Sequence, residues 1–208
     1  MARTLVADQT GRETRARILS AALRLFSERG YAGTSIAAVA KAVGLSAPGV
    51  LHHFPDKRTL LLSVLADRGR TVSDDEQGPS YGDVSGADAL ELIVRVVQEN
   101  LRDREVIRLE HLCALAPGDG AEMAAEWSRV RLARMRSNTE AVVERALRDG
   151  EVSATARNNT ASMADLIIAT FVGLEHLWLL DENFDMVAGM RTFTGLLADQ
   201  FGLPKPQA

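Results

Sequence analysis

Residues 34–57 read TSIAAVAKAVGLSAPGVLHHFPDK, a stretch with three helix starts and two helix stops in close succession. Thr34 or Ser35 supplies an oxygen that caps a helix, Ile36, Val39, Ala40 and Val43 then share one face, and Gly44 ends the element. Ser46 caps the next helix, whose first turn tolerates Pro48 and whose apolar residues are Val50 and Leu51. Pro55 interrupts again, and Asp56 caps a helix from Lys57 to about Ser73. Two short helices joined through Gly44-Leu45-Ser46 form a helix-turn-helix: the turn glycine permits a left-handed backbone, and small Ala40 lets the helices approach. In such a pair the second helix enters the major groove, while helix N-termini and flanking basic groups hold phosphates. The spacing alone is equally compatible with two short helices that have no DNA role.

Outward from this stretch the chain stays helical. Ile18, Ala22, Leu25 and Phe26 form an amphipathic stripe that stops at Gly30. Asp74 to Gly86 reads as a loop, followed by helices near 87–103 and 104–116, a break at residues 117–120, and a long helix over 121–148 that stops at Asp149-Gly150. Helices near 159–180 and 185–201 follow, and Pro204 and Pro206 mark a loose tail. No strand alternation and no internal repeat appears, so the expected fold is all-α with about nine helices. The expected organisation is a flexible arm over 1–10, a DNA-binding domain over 11–70 with its helix-turn-helix at 35–54, a second helical domain over 71–203, and a tail over 204–208.

Composition narrows the class. The 208 residues are 46% hydrophobic and 25% charged, ordinary values that exclude wholesale disorder. The most apolar stretch, Met163 to Leu180, is interrupted by Asp165, Glu175 and His176, so no membrane span is expected. The lone Cys113 makes no intrachain disulfide and no thiolate zinc site, and the first residues lack an apolar signal core. A cytoplasmic protein is expected. Charge is uneven: residues 1–70 hold 11 of the 24 Lys and Arg but 5 of the 28 Asp and Glu, a balance of +6 against −10 for the remainder. A basic first third on an acidic protein suggests a local polyanion-binding module.

Arg17-Ile18-Leu19-x-Ala21-Ala22-x-x-Leu25-Phe26-x-x-x-Gly30-Tyr31, then Thr34-Ser35-Ile36-x-x-Val39-Ala40-x-x-x-Gly44-Leu45-Ser46, then His53-Phe54-Pro55-x-Lys57-x-x-Leu60-Leu61, resembles the tetracycline-repressor (TetR) family over roughly residues 11–70. The resemblance implies a homodimer with paired N-terminal DNA-binding domains and a C-terminal ligand and dimer domain. In that scheme a bound effector changes the separation of the recognition helices and lowers operator affinity. It further implies DNA contacts at Thr34, Ser35 and Lys57, with Arg12 or Arg15 reaching phosphate or a minor groove and His53 preceding Phe54 as is usual in the family. This chain departs from the family at Leu51, where a phosphate-contacting Tyr is frequent. Ala37, Ala47 and Gly49 replace larger base-reading residues and make no bidentate base-edge hydrogen bond. Sparse direct readout follows: Ala47 or Pro48 against thymine methyls, Ser46 and His52 as adaptable polar contacts, and much of the specificity from DNA shape. His52 and His53 point about 100° apart on a helix and do not converge on a metal. Neither a metal site nor a cofactor is expected.

In the second domain, Met163, Ile167, Thr170, Leu174 and Leu177 form one stripe, and Ala164, Ile168, Phe171 and Trp178 a second. A helix apolar on two faces needs burial on two sides, either wholly within the chain or partly against a second subunit. Ile168, Leu174 and Trp178, with Met190, Phe193 and Leu197 of the last helix, are the candidate dimer residues. The candidate effector cavity draws on Ile93, Val97, Leu109, Leu112, Cys113 and Met123, and also on Trp127, Met163, Ile167 and Phe171. His111, Arg131, Glu175 and His176 are candidates to orient a hydrophobic or amphipathic small molecule.

An enzyme is disfavoured because His111 and Cys113 face nearly opposite ways on a helix and no motif adds an orienting acid. A DNA-packaging protein is disfavoured by the acidic two-thirds. A ligand-responsive repressor on a palindromic operator is the favoured reading. Its recognition helix predicts an operator whose base preferences do not depend on guanines read by arginine from residues 47–53; base-substitution footprinting that finds such guanines dominating affinity contradicts it.

Overall fold

A computed structural model describes residues 2–72, 84–115, 121–152 and 160–205. Among them are nine helices and no strand: α1 (Ala2–Gly33), α2 (Ile36–Val43), α3 (Ala47–His53), α4 (Lys57–Val72), α5 (Gly86–Asn100), α6 (Arg104–Leu115), α7 (Ala121–Arg148), α8 (Thr160–Leu180) and α9 (Met186–Phe201). The all-α expectation and its helix order hold. The stretches read as a loop near 74–86, as a break near 117–120, and as the end of the tail fall largely outside the described residues.

The helix punctuation follows residue chemistry. Gly30 leaves helical geometry at φ 69°, ψ 175°, and Gly44 sits at φ 72°, ψ 31°, where a Cβ is strained. Ser35 Oγ accepts from Ala38 N at 3.1 Å and Ser46 Oγ from Gly49 N at 3.2 Å, the N-cap bonds that start α2 and α3. Asp56 Oδ1 accepts from Thr59 N at 2.6 Å at the start of α4, and that bond holds its carboxyl below the usual aspartate range. One expectation differs. Residues 2–10, read as an arm, extend α1, since no Gly or Pro between Ala2 and Gly11 interrupts a helix running back from the core.

Residues 1–75 and 105–128 form one compact unit, and residues 76–104 and 129–208 the other. The first is built on α1, with α2 and α4 packed against it and α3 against α2. Its core joins Ile18, Ala22, Leu25 and Phe26 to Val39, Val50, Phe54, Leu60, Leu61 and Leu65. Leu109 and Cys113 of α6 are buried in that same core, and Trp127 packs against it. The boundary expected near residue 70 therefore does not separate α6 from the N-terminal helices. An apolar pair four residues apart on α6 carries no label for the core it joins.

In the second unit α9 packs on α5 and α8. Gly86 N donates to Glu151 Oε2 at 2.6 Å, which places a carboxylate at the N-terminus of α5. α8 is apolar enough to resemble a membrane span, with a mean hydropathy of 1.6 in its best window. Its acidic groups, however, are paired inside the unit, Asp165 with Arg136 and Glu175 with Asn100.

Gly44→Ala should cost about 1–2 kcal/mol in urea unfolding, because the left-handed turn opposes a Cβ. Gly11→Ala, in helix with open space around the added Cβ, should be neutral or stabilising by up to about 1 kcal/mol.

Candidate DNA interface and ligand domain

The helix-turn-helix is held from both flanks by cations. Lys57 Nζ donates to Tyr31 O at 2.8 Å and to Thr34 O at 2.9 Å, and lies 4.1 Å from the centre of the Tyr31 ring. Tyr31 in turn stacks on Phe26 with ring centres 6.0 Å apart, and burial raises its phenol pKa. Arg17 Nη2 donates to Val43 O at 2.7 Å, satisfying a terminal carbonyl of α2. The Arg15 guanidinium lies 4.8 Å from the centre of the Phe54 ring, and Phe54 is the C-cap of α3. Arg17 and Tyr31 stand in the sequence only as motif positions, because the partners that give them their roles lie 26 residues away and no short-range pattern links them.

Around this frame Ser35, Ser46, Pro48, His52 and Arg12 are exposed, while Ala47, Gly49 and His53 are half-buried. The serine hydroxyls accept cap bonds and keep their own protons for an outside acceptor. Leu51 shows 40% of its surface, so an apolar side chain projects from α3. A Cβ on Gly49 would sit 3.3 Å from Ser46 Oγ, so a larger side chain there crowds the cap.

Two expected DNA contacts need correction. Thr34 is 2% exposed, and its hydroxyl proton is shared between Leu25 O at 3.0 Å and Gly30 O at 2.9 Å, so it closes the α1–α2 turn from inside. Lys57 is half-buried with two of its three N–H groups engaged by carbonyls, which makes it first a clamp.

The expected effector residues divide between the two units. Leu109 and Cys113, expected in the effector cavity, are buried in the core of the first unit, and Trp127 packs against that core. Burial, with Glu110 nearby, raises the Cys113 thiol to about 11, so it stays protonated at neutral pH. Leu112 is 42% exposed because Cys113, one position on, takes the inward face. His111 is half-buried, and the side chain of Met123 lies outside the described residues. In the second unit Val97, Ile167, Phe171 and Glu175 are buried, and Ile93, Met163 and Arg131 half-buried. His176 is exposed. Asn100 Nδ2 donates to Glu175 Oε1 at 2.7 Å, with both residues at 2% exposure or less.

The expected dimer face also shifts. Met190 is fully buried and Trp178 is 7% exposed under the Arg104 guanidinium, so both belong to the unit's own core. Leu174 lies against Gly189 of α9, where an added Cβ would meet its Cδ2 at 2.8 Å. Ile168, Phe193 and Leu197 remain half-buried. The buried stripe of α8 runs through Ala164, Ile167, Phe171, Glu175 and Trp178, taking members of both expected stripes. Leu166, Leu177, Leu180 and Leu196 are the leucines of α8 and α9 left exposed, at 54%, 48%, 73% and 63%.

Residues 18–64 match the family model described as bacterial regulatory proteins, tetR family. The HTH-type transcriptional regulator AcrR of Shigella flexneri is 43% identical over 56 residues, which are 27% of this chain and 26% of that one. The matched stretch thus spans about a quarter of that relative's length. Among solved structures, a TetR transcriptional regulator from Chloroflexus aurantiacus J-10-FL aligns over 93% of this chain and 98% of its own at 24% identity, with a TM-score of 0.73. The regulator FadR from Bacillus subtilis, in complex with stearoyl-CoA, aligns over 89% and 98% at 16% identity, with a TM-score of 0.67. At these identities the structural likeness is one of fold.

Leu51→Tyr should restore a phenol–phosphate hydrogen bond and tighten DNA binding about 5- to 10-fold, the equivalent of about 1–1.5 kcal/mol. Fluorescence anisotropy on an operator duplex checks it, and an unchanged or weaker affinity contradicts the placement of α3 on DNA.

Proposed function

Because this chain belongs to the TetR family of bacterial regulatory proteins, we propose that it is a cytoplasmic, homodimeric repressor released from a palindromic operator by a small hydrophobic or amphipathic effector. The DNA-binding part of this reading is carried by α3: a short helix capped at both ends, with Arg15 on its C-cap Phe54, the flanks of α2 held by Lys57 and Arg17, and Pro48, Leu51 and His52 presented outward. No Lys or Arg lies on α3, so affinity comes from phosphate contacts around it, including Arg12, and specificity from thymine methyls and DNA shape. An enzyme is not what the named relatives are; AcrR is a transcriptional regulator.

Dimerisation is supported by the exposed leucines. Leu166, Leu177 and Leu180 recur at i, i+11 and i+14 on α8, and Gly173 at i+7 lies on the same stripe with nothing within 4 Å of a built Cβ. Gly195, beside Leu196 on α9, is equally open. A mid-helix glycine costs about 1 kcal/mol relative to alanine. Two of them beside exposed leucines fit the close approach of a second subunit, with Ile168, Phe193 and Leu197 at its margin. The effector reading is supported by the buried Val97, Ile167 and Phe171 beside the Asn100–Glu175 pair, with Ile93, Met163 and Arg131 as half-buried neighbours in the sequence frame. FadR, similar in fold, is seen with an amphipathic acyl-CoA.

Purified protein offered DNA from upstream of its own gene, against scrambled DNA at two salt concentrations, should prefer one palindromic segment at near-physiological salt. Its solution mass should be twice the 22.5 kDa of the chain. Leu177→Glu with Leu180→Glu should halve that mass and weaken operator binding at least tenfold with helicity retained. Equal binding to both DNAs that disappears with salt, or a monomeric wild type, overturns the proposal.

A further inference from the structure

The side chains of α3 decide which groups on a base edge it can read. Its seven residues include no Lys, Arg, Asn or Gln, the side chains that make bidentate hydrogen bonds to guanine or adenine. Exposed Pro48 and half-buried Ala47 offer only C–H groups, and Pro48 has no N–H. The Gly49 N–H is taken by Ser46 Oγ at 3.2 Å. A Cβ at residue 49 would stand 3.3 Å from that oxygen, so a longer polar reader there disturbs the cap. One hydroxyl stands beside the apolar pair. Ser46 is exposed, and its Oγ accepts from Gly49 while keeping a second lone pair and its proton for a base.

On the pyrimidine edge in the major groove, thymine shows a C5-methyl beside the acceptor O4, whereas cytosine shows a C5 hydrogen beside the donor N4. A cytosine methylated at C5 combines the methyl of thymine with the donor of cytosine. Ala47 and Pro48 meet that methyl equally well on either base, because an apolar contact has no direction. Ser46 does not separate the two bases either: its hydroxyl donates to O4 or accepts from the N4 amino group. We propose that this surface reads the C5-methyl group itself, so that 5-methylcytosine stands in for thymine and methylation of an operator cytosine tightens binding. The inference rests on α3 lying in the major groove, as in the function proposed above.

The test begins with selection by the full-length protein from a random-sequence duplex library, which should yield a palindromic motif. Each thymine of that motif is then replaced by uracil, which lacks only the C5-methyl. Burying one methyl is worth about fourfold in affinity. Replacing the contacted thymines of both half-sites should therefore weaken binding at least tenfold. At those same positions 5-methylcytosine should bind at least tenfold more tightly than cytosine. Pro48→Ser, at an exposed position, should bind the uracil duplex like wild type and shrink the thymine-to-uracil ratio at least threefold, with circular dichroism confirming its fold. A motif bound equally with thymine and uracil, or with cytosine and 5-methylcytosine, overturns the inference and leaves the regulator standing, as does a folded Pro48→Ser that keeps the full ratio. A library that yields no motif overturns the regulator reading and the inference together.

Discussion

One ammonium group sets the geometry of the DNA-binding helices. Lys57 opens α4, yet its Nζ reaches back to the carbonyls of Tyr31 and Thr34 and lies over the Tyr31 ring. That contact closes the chain over 26 residues and fixes the turn between α1 and α2 against the start of α4. Carbonyls at a turn are strong acceptors, and a charged donor in a half-buried site binds them more firmly than a neutral one. Thr34 completes the turn from inside, and Gly30, at positive φ, kinks α1 just before its end at Gly33. With both ends of the α2–α3 unit anchored, the core of Phe26, Val39, Val50 and Phe54 determines where α3 points.

This arrangement separates holding from reading. Three cations, Arg15, Arg17 and Lys57, brace the motif through an aromatic ring and backbone carbonyls. The helix that would lie in the groove is left with small, apolar and imidazole side chains. A reader of this kind discriminates through methyl contacts and the cost of deforming DNA. Its affinity depends on phosphates and therefore on salt.

The sequence made local chemistry legible. Glycines 30, 44 and 150 and the caps at Ser35, Ser46 and Asp56 mark helix boundaries through bonds that span at most a few residues. What it concealed was long-range. Thr34 read as a surface cap because nothing nearby reveals that its hydroxyl meets Leu25 O. Lys57 read as a phosphate ligand because a cation at a helix start suits both roles. On α8, apolar residues surround most of the helix, so periodicity could not say which stripe the chain buries; Glu175, a charged residue, lies on the buried one because Asn100 is there to meet it. α6 gave no sign that Leu109 and Cys113 serve the N-terminal core.

The most direct test of the clamp is Lys57→Met, followed by both urea unfolding and the salt dependence of operator affinity. A clamp predicts a loss of about 2–4 kcal/mol of stability, for two charge-assisted hydrogen bonds, with the slope of log affinity against log salt unchanged. Unaltered stability with a slope shallower by about 0.9, the signature of one lost phosphate contact, would contradict it.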